Sequence, residues 1–278
     1  MTTVLTVAGS DSSAGAGIQA DLKTFAALGA YGVCAITSIT AQSTSGIASA
    51  IALSADLVTD QIEALAGDMD IHAVKTGMLA DAAIVEAVAA AVRELDLPLL
   101  VVDPVIASSS GNRLLDDDGV QMLRTELFPL ARAVTPNLPE AEALSGLRIH
   151  TADDAREAAR RIHDLGAAAV VITGGHFRDV EPGTDKRTAG PTASEVVDLL
   201  YDGHAFTELR VPRVNRPEAH GTGCTYASAL ATYLALGCSL EDATARAQQY
   251  VAGALEHARR VGRGRALLDH FWGGILKA

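Results

Sequence analysis

Short apolar runs rich in β-branched residues alternate with longer, alanine-rich runs of helical period through most of the chain. The strand-like runs cover residues 4–7, 33–39, 71–74, 99–102, 131–135 and 168–173, and the helix-like runs cover residues 18–28, 57–65, 84–95, 120–127 and 153–165. Strands that alternate with helices pair in parallel, because each connection crosses over the sheet. We therefore expect an α/β fold with a doubly wound, mostly parallel central sheet and helices on both of its faces.

The pattern changes in the last third of the chain. Residues 196–201 and 204–211 are strand-like and flank Asp202-Gly203, a dipeptide that favours a tight hairpin turn. An antiparallel edge hairpin should therefore follow the parallel strands. Helices over residues 222–236 and 240–261 should then close the fold.

Composition limits the class of protein. The chain has 278 residues, of which 49% are apolar, and this is enough to bury a sizeable core. Residues 177–194 are interpreted as a surface excursion rather than a linker, so residues 1–278 are expected to form a single domain. A net charge of −12 argues against nucleic acid or an anionic membrane as a partner and favours a small molecule.

The cysteines indicate a reducing compartment. Cys34, Cys224 and Cys238 are odd in number and lack CxxC spacing, which suggests neither a disulfide framework nor a zinc site. No apolar run reaches the roughly 18 residues of a membrane span. The N-terminus does not have the pattern of a signal peptide. We therefore expect a cytoplasmic protein.

The first loop reads AGSDSSAGAGIQAD and joins the first strand to the first helix. Residues 15–20 match the dinucleotide fingerprint G-x-G-x-x-G/A, which places a pyrophosphate at a helix N-terminus. That function also requires an acidic residue about 20 positions later to bind the ribose, and residues 22–55 contain none. Two interpretations remain. The glycines only permit a turn and close packing, or they serve a ligand of another kind, which Asp21 and Gln42 favour.

A second glycine motif, HGTGCTYASA, covers residues 220–229. The chain contains no G-x-x-x-x-G-K-[ST] phosphate loop, but a glycine turn at a helix N-terminus can bind an oxyanion through backbone N–H groups alone. Cys224 follows this turn, where the helix dipole should lower the pKa of its thiol and make it a proton acceptor or a nucleophile. The alternative is a small buried residue, as we expect for Cys34 and Cys238.

Six blocks occur in order along the chain: AGSDSSAGAGIQADLKTFAALGAYG, KTGMLA, VVDPV, TPNLPEAE, GGH and HGTGCTYASA. They cover nearly the whole chain, and in this order they resemble the hydroxymethylpyrimidine/phosphomethylpyrimidine kinases of thiamine biosynthesis, which belong to the ribokinase-like superfamily. The resemblance implies ATP and Mg²⁺ as cofactors and a homodimer. It also implies transfer of the γ-phosphoryl group to 4-amino-5-hydroxymethyl-2-methylpyrimidine and then to its monophosphate.

The resemblance implies a role for each residue that matches the family motifs. The substrate would be bound by Gly9, Asp21, Gln42 and Met78. An anion hole would be formed by Gly221 and Gly223 beside Cys224, which would deprotonate the hydroxymethyl oxygen. The nucleotide would be bound by Asn137, Thr173 and Gly175, and the metal by Asp103 and Glu140. Only the first transfer needs that proton removed, because a phosphate monoester already offers an anionic oxygen. An ordinary core position is the alternative for Met78.

Asn137 and Glu140 have a second interpretation that does not depend on the family. They stand three residues apart before a helical run, which is the capping-box pattern of an N-cap residue with Glu at N3. In ribokinase-like enzymes the N-x-x-E element organises magnesium and phosphate, often through water, which suits a hard cation that keeps part of its hydration shell. Both roles can hold at once.

Three departures from the family concern its loops. The family commonly has Lys-Gly-Gly-His where this chain has Thr173 before Gly174, so a charge that could contact ATP phosphates is missing. Ala14 replaces a glycine of the first loop, and residues 106–111 lack the lysine that some members carry.

Three other functions stay open. A pyridoxine or pyridoxal kinase of the same superfamily would take a ring of similar size and shape, although Asp21 and Gln42 favour the aminopyrimidine. A dinucleotide-dependent oxidoreductase is disfavoured by the missing acidic residue. A non-catalytic vitamin-binding protein is disfavoured because Asp103, Glu140 and Cys224 are all retained.

Overall fold

A nine-stranded sheet forms the centre of the molecule. The computed structural model describes residues 1–108, 111, 113–175, 194–215 and 219–274. The strands of the sheet are β1 (Thr3–Asp11), β2 (Tyr31–Ser43), β3 (Gly46–Ala52), β4 (Ala73–Thr76), β5 (Leu100–Val102), β6 (Ala133–Val134), β7 (Val170–Gly175), β8 (Glu195–Tyr201) and β9 (Phe206–Pro212), and β10 (Ala219–His220) pairs separately with β11 (Ala266–Leu267). The order across the sheet is β3-β2-β1-β4-β5-β6-β7-β8-β9. The six strands from β2 to β7 in this order pair in parallel, which confirms the prediction from the alternating pattern.

Antiparallel strands lie at both edges of the sheet. The predicted hairpin is confirmed at one edge, where β8 and β9 pair in an antiparallel manner. Tyr201 and Phe206 are the last pair of this ladder and lie on either side of the turn. At the other edge β3 pairs with β2. This strand was not predicted, because its sequence GIASAIA consists mainly of small residues and lacks the usual enrichment in β-branched and aromatic side chains.

Helices cover both faces of the sheet. They are α1 (Gly17–Ala27), α2 (Ala55–Ala66), α3 (Ala82–Glu94), α4 (Asp117–Met122), α5 (Leu138–Ser145), α6 (Ala152–His163), α7 (Thr222–Ala235) and α8 (Leu240–Glu256). One core holds buried residues of α2, α3, α5 and α6, and the other holds those of α1, α7 and α8. Neighbouring strand residues enter opposite cores, Leu5 the first and Val4 the second. The fold is therefore doubly wound, as expected.

Two predicted helices have different ends. The helix expected over residues 120–127 is α4 followed by a π-helical turn over Leu123–Leu127. α8 ends at Glu256 rather than at residue 261, because the chain turns away there to form new backbone bonds. One of them joins Arg259 N to Leu267 O at 2.9 Å.

Residues 259–267, the C-terminal strap, join segments that are distant in sequence. β11 within the strap pairs in parallel with β10. At the turn between β2 and β3, Gly264 N donates to Thr44 Oγ1 at 3.1 Å and Arg265 N donates to Thr44 O at 2.9 Å. A Cβ on Gly264 would lie 2.0 Å from Thr44 O, so the close approach requires glycine. The strap therefore connects the β2–β3 turn with the segment that leads into α7.

Some features lie outside the described residues. They include His176 of the GGH block and all of the expected surface excursion except Ser194. In the ranges that are described, no helix is both long and apolar enough to cross a membrane. The three cysteines are free thiols.

Candidate active site

The order of the strands reverses at β1, which has β2 on one side and β4 on the other. In open α/β sheets a ligand cleft forms outside the carboxyl ends of the strands at such a point. Gly9 lies near the carboxyl end of β1, Met78 follows β4 and Asp103 follows β5. The fold therefore brings together residues that are far apart in the sequence.

A cavity of about 540 Å³ opens at this edge of the sheet. Nine of the residues predicted from the sequence line it: Gly9, Gln42, Met78, Asp103, Asn137, Glu140, Gly221, Gly223 and Cys224. Asp21, Thr173 and Gly175 do not. The structure thus gathers most of the predicted site into one cavity, and Met78 belongs to its lining rather than to the ordinary core.

Gly9 and Met78 form an apolar end of this cavity. A Cβ on Gly9 would lie 2.6 Å from Ser38 Oγ and 3.3 Å from Met78 Sδ, so a larger residue would displace both neighbours. Thr37 Oγ1 donates to the backbone oxygen of Met78 at 2.6 Å. This bond fixes the backbone from which the thioether projects.

Asp21 lies beneath the cavity rather than in it, which corrects its prediction as a substrate-binding residue. Its fully buried carboxylate accepts hydrogen bonds from Thr6 Oγ1 at 2.6 Å, from Ser228 Oγ at 2.7 Å and from Lys75 Nζ at 2.9 and 3.0 Å. The side chain points from α1 into the space between β1, β4 and α7. Both of its oxygens are therefore engaged inside the protein and do not face a ligand.

Lys75 was not predicted as a site residue. It is fully buried on β4, lines the cavity and has its Nζ 3.9 Å from Asp103 Oδ2. Burial acts to lower the pKa of Lys75, but the neighbouring charges of Asp21 and Asp103 raise it above its usual value, so the side chain stays a cation. One feature of the sequence could have identified Lys75 as a site residue. A lysine inside a buried strand, AVKT, requires an anionic partner.

The first glycine loop is organised by Asp11. The carboxylate of Asp11 accepts hydrogen bonds from the backbone N–H groups of Ser13, Gly15 and Ala16. Burial acts to raise the pKa of Asp11, but the hydrogen bonds from His220, Ser13 and Ala16 hold it at about 2. These N–H groups are therefore already bonded, which contradicts the interpretation of the loop as a pyrophosphate-binding fingerprint.

The same loop brings backbone against the cysteine. Gly17 has a φ of +56°, and a Cβ there would lie 2.3 Å from Gly9 O. Burial raises the pKa of the Cys224 thiol, and the backbone N–H of Gly17 acts against this rise. Ala14, which stands where the family has glycine, also has a positive φ of +58°, a conformation that glycine adopts at lower cost.

α7 begins at the second glycine motif. Gly221 is its N-cap with a φ of +92°, and a Cβ there would lie 1.9 Å from Gly15 O, so only glycine fits. Thr222 and Gly223 form the first turn and line the cavity. The first N–H groups of a helix lack intrahelical acceptors, and the helix dipole favours an anion there. The geometry suits an oxyanion at this turn.

Cys224, the third residue of α7, is not the preformed thiolate that its position predicts. Burial raises the pKa of its thiol to about 12, although the charge of Lys75 and the N–H of Gly17 act in the opposite direction. The thiol is therefore protonated at neutral pH, and as a donor group beside Asp103 it acts against the burial that raises the pKa of that carboxyl. The predicted lowering of the pKa is wrong because desolvation outweighs the charge of Lys75 and the N–H of Gly17.

Asp103 and Glu140 are the carboxylates that the family motifs assign to a metal ion. Burial raises the pKa of both, and the charge of Asp103 raises that of Glu140 further. Asp103 Oδ2 is buried without a hydrogen-bond partner. Two carboxylates facing one cavity, one with an unpaired oxygen, are a donor set that fits a hard cation such as Mg²⁺. Within the described part of the chain no group of three or more His, Cys, Asp or Glu converges as a metal site, so water would have to complete the coordination.

Asn137 is the N-cap of α5, and its predicted capping box is confirmed. Asn137 Oδ1 accepts from Glu140 N at 3.0 Å, and Glu140 Oε2 accepts from Asn137 N at 3.0 Å. Asn137 also lines the first cavity and a second one beside it. The cap therefore holds both side chains at the point where the cavities meet.

The second cavity, of about 550 Å³, shares Asn137, Thr222 and Gly223 with the first. Thr173 lies in its lining, whereas Gly175 ends β7 beyond it. Arg213 and Arg265 also line this cavity and were not predicted. Positive charge is therefore present here although Thr173 replaces the lysine of the family.

Asp198 is a further residue of the second cavity that was not predicted. It is buried on β8 and accepts a hydrogen bond from Gly174 N at 2.7 Å. Burial raises the pKa of Asp198 to about 6. Its signal in the sequence is a single acidic residue between apolar neighbours in EVVDLLY.

A helix N-terminus that suits an oxyanion lies between two cavities at the carboxyl edge of a doubly wound sheet, and solved kinases of the ribokinase-like class share this fold. The sequence profile described as phosphomethylpyrimidine kinase matches residues 11–269. The chain belongs to the phosphomethylpyrimidine kinase family.

Two relatives and one solved structure are similar to the chain over most of its length. The chain is 46% identical over 267 residues to the thiamine biosynthesis bifunctional protein of Geobacter sulfurreducens, covering 96% of this chain and 52% of that protein. It is 41% identical over 267 residues to the hydroxymethylpyrimidine/phosphomethylpyrimidine kinase of Bacillus subtilis, covering 96% and 94%. The chain thus spans about half the length of the bifunctional relative and nearly all of the kinase. The structure of a Bacillus subtilis pyridoxal kinase in an ADP complex has a TM-score of 0.85 at 35% identity and covers 97% of both chains.

Proposed function

We propose that the protein transfers the γ-phosphoryl group of ATP to 4-amino-5-hydroxymethyl-2-methylpyrimidine and then to its monophosphate. The similarity to a bifunctional thiamine biosynthesis protein and to a hydroxymethylpyrimidine/phosphomethylpyrimidine kinase supports this reaction. The observation that carries it is the sharing of Thr222 and Gly223 by both cavities. A nucleotide in the second cavity and a ring in the first would then place the migrating group at the N-terminus of α7, where backbone N–H groups and the helix dipole stabilise it.

The ring-binding residues of the proposal are Gly9, Gln42 and Met78. All three line the first cavity. Met78 would pack on the ring, and Gln42 would hydrogen-bond to it. Asp21 supports this pocket from below through Lys75 and does not contact the substrate.

For the alcohol, a hydroxyl proton has to leave as the new O–P bond forms. In a loose phosphoryl-transfer transition state this happens late, so a strong base is not needed beforehand. The Cys224 thiol would take the proton of the alcohol while it passes its own proton to Asp103, which lines the same cavity. One proton moves from alcohol to carboxylate, and the thiol ends unchanged. The second transfer needs no such relay.

The nucleotide would be held in the second cavity. Asn137 and Thr173 line it, and Arg213 and Arg265 would supply the positive charge that Thr173 lacks. Gly175, at the end of β7, stays in the proposal as a backbone contact beyond the cavity. Mg²⁺ held through water by Asp103 and Glu140 would neutralise charge on the phosphates.

A coupled assay of ATP consumption tests the reaction. One preparation would be given hydroxymethylpyrimidine, its monophosphate and pyridoxal in turn. Turnover of both pyrimidines is expected. Turnover of pyridoxal alone would favour the second candidate, a pyridoxal kinase, which is supported by the similarity to the Bacillus subtilis structure.

The proposal includes a cytoplasmic location and a homodimer. The three free thiols suit a reducing compartment.

β3 is an edge strand on which Ile51 is 65% exposed, opposite Ile39, which is 49% exposed. A second copy of the chain that covered this edge would bury both side chains. Sedimentation velocity should accordingly give twice the mass of one chain.

A further inference from the structure

His220 links the two glycine motifs through hydrogen bonds at the first cavity. Its Nε2 lies 3.1 Å from Asp11 Oδ2 and 2.8 Å from the terminal amide of Gln42. His220 and Gln42 both line the cavity, as does Asp11. The three side chains form a chain of contacts that ends at the residue proposed to bind the ring.

The charge of Asp11 decides the tautomer of His220. Asp11 accepts hydrogen bonds from the backbone of its own loop, and its pKa is held at about 2, so it is a carboxylate that can only accept. The ring nitrogen of His220 that faces it must therefore donate. His220 carries a proton on Nε2.

The tautomer of His220 in turn decides the orientation of Gln42. The structure places the amide nitrogen of Gln42 2.8 Å from His220 Nε2, but an Nε2–H group cannot face an amide N–H, so we infer that the amide is turned by 180° and has its oxygen there. Rotation by 180° about the last bond exchanges amide oxygen and nitrogen, and the hydrogen-bond network determines which is present. The amide nitrogen then lies 3.2 Å from Thr40 Oγ1, which is able to accept because it donates its own hydrogen to Ser10 O at 2.9 Å. One N–H of Gln42 remains for the cavity.

We propose that His220, held by Asp11, is a positioning residue that orients the Gln42 amide so that it presents a donor to the substrate. The ligand class that fits is a heteroaromatic ring with an unprotonated ring nitrogen facing Gln42. This inference rests on the proposed function, and it adds a residue that selects for the acceptor on the ring.

The C-terminal strap holds His220 in place. His220 pairs with Leu267 in the β10–β11 ladder. A Cβ on Gly15 would lie 2.6 Å from Leu267 Cδ2 and 2.8 Å from His220 Cδ2, so the imidazole ring has little room to move. A fixed ring is what a positioning role requires.

Steady-state kinetics of a double-mutant cycle test the proposal. The variants are His220→Leu, His220→Gln, Gln42→Leu and the double variant His220→Leu/Gln42→Leu, with His204→Leu in the exposed β8–β9 turn as the matched control. His220→Leu should raise the Michaelis constant for hydroxymethylpyrimidine about tenfold, the scale of one lost hydrogen bond, and leave that for ATP within about twofold. His220→Gln, which can keep an N–H, should recover most of the loss. When Gln42 is already leucine, His220→Leu should not raise the Michaelis constant for hydroxymethylpyrimidine any further.

Two outcomes of the cycle would overturn the proposal. The first is an equal rise in the Michaelis constants for ATP and for the pyrimidine. The second is a rise in the Michaelis constant for the pyrimidine on His220→Leu that is just as large when Gln42 is already leucine. Wild-type protein that turns over no pyrimidine would instead refute the proposed function. A long-range ¹H–¹⁵N spectrum tests the tautomer without turnover, with His220→Gln used to assign the signal. An Nε2–H pattern is expected, and an Nδ1–H pattern contradicts the inference.

Discussion

Lys75 Nζ lies 2.9 Å from Asp21 Oδ2, and both side chains are fully buried beneath the candidate active site. Asp21 belongs to α1 and Lys75 to β4, and Asp21 also binds Ser228 of α7, the helix that carries Cys224. The pair therefore connects the floor of the cavity with the helix of the anion site. Two buried opposite charges compensate each other, whereas one left alone is costly.

Lys75→Met should lower the free energy of unfolding by about 3–5 kcal/mol, because it leaves the Asp21 carboxylate buried without a counter-charge. The double variant Lys75→Met/Asp21→Asn should recover much of this loss, since the amide is neutral and can still accept from Thr6 and Ser228. Urea unfolding of both variants measures the difference. Equal destabilisation of the two would show that the uncompensated charge is not the cause.

Cys224→Ala should slow phosphorylation of the alcohol by about 10²-fold, the scale of a lost proton-transfer group. The monophosphate should be affected less, because it is already anionic. Cys238→Ala, at a cysteine outside both cavities, is the matched control. Rates with the two pyrimidines measured in parallel decide the point, and equal losses with both would exclude a role in proton transfer.

Stability without Mg²⁺ should fall as the pH rises from the ordinary range of glutamate pKa values towards the raised pKa of Glu140. Within this window the folded state keeps a proton that the unfolded state has released, so a rise in pH favours unfolding. Glu140→Gln should flatten the slope while it keeps an oxygen for the cap of α5. Melting temperatures of both proteins between about pH 5 and about pH 9 would measure the dependence of stability on pH.

Mg²⁺ provides the second arm of the same experiment. In the proposed function the cation binds the ionised pair of Asp103 and Glu140, so it should raise the melting temperature at the alkaline end and have little effect at the acidic end. Glu140→Gln should weaken the response. A shift of the same size at both ends of the pH range would place the cation elsewhere.

Gly264→Ala should raise the Michaelis constants for the pyrimidine and for ATP together. The new Cβ would lie 2.0 Å from Thr44 O and push the strap away from the β2–β3 turn, while Arg265 next to it lines the second cavity. A displacement of about 1 Å at such a site can cost up to 10²-fold. Gly273→Ala is the control, because nothing lies within 4 Å of a Cβ there. An effect on one substrate alone would disprove a shared role of the strap.

Features that depend on local pattern could be predicted from the sequence. The parallel strands, the β8–β9 hairpin and the cap at Asn137 each follow from periodicity or from a turn or cap residue within a few positions. β3 was not predicted from the sequence, because its pairing with β2, and not its own composition, makes it a strand.

Features that depend on burial could not be predicted. Asp21 is an acidic residue of a small-residue helix, and only the packing of α1 against β1 and α7 shows that it faces Lys75 rather than a ligand. The helix dipole at Cys224 is visible in the sequence, but the desolvation that outweighs it comes from segments far away along the chain. Electrostatics at this site is a property of the assembled fold.

The contact between Thr44 and Gly264 joins positions 220 residues apart. At the usual rates of synthesis, the ribosome needs roughly 10 to 45 s to make the chain between them. Throughout that time the strands that carry Gly9 and Gln42 exist without the strap that holds His220 beside them. Substrate therefore cannot stabilise the nascent chain by mass action, and a pyrimidine added to growing cells should rescue a weakened variant only after its synthesis is complete.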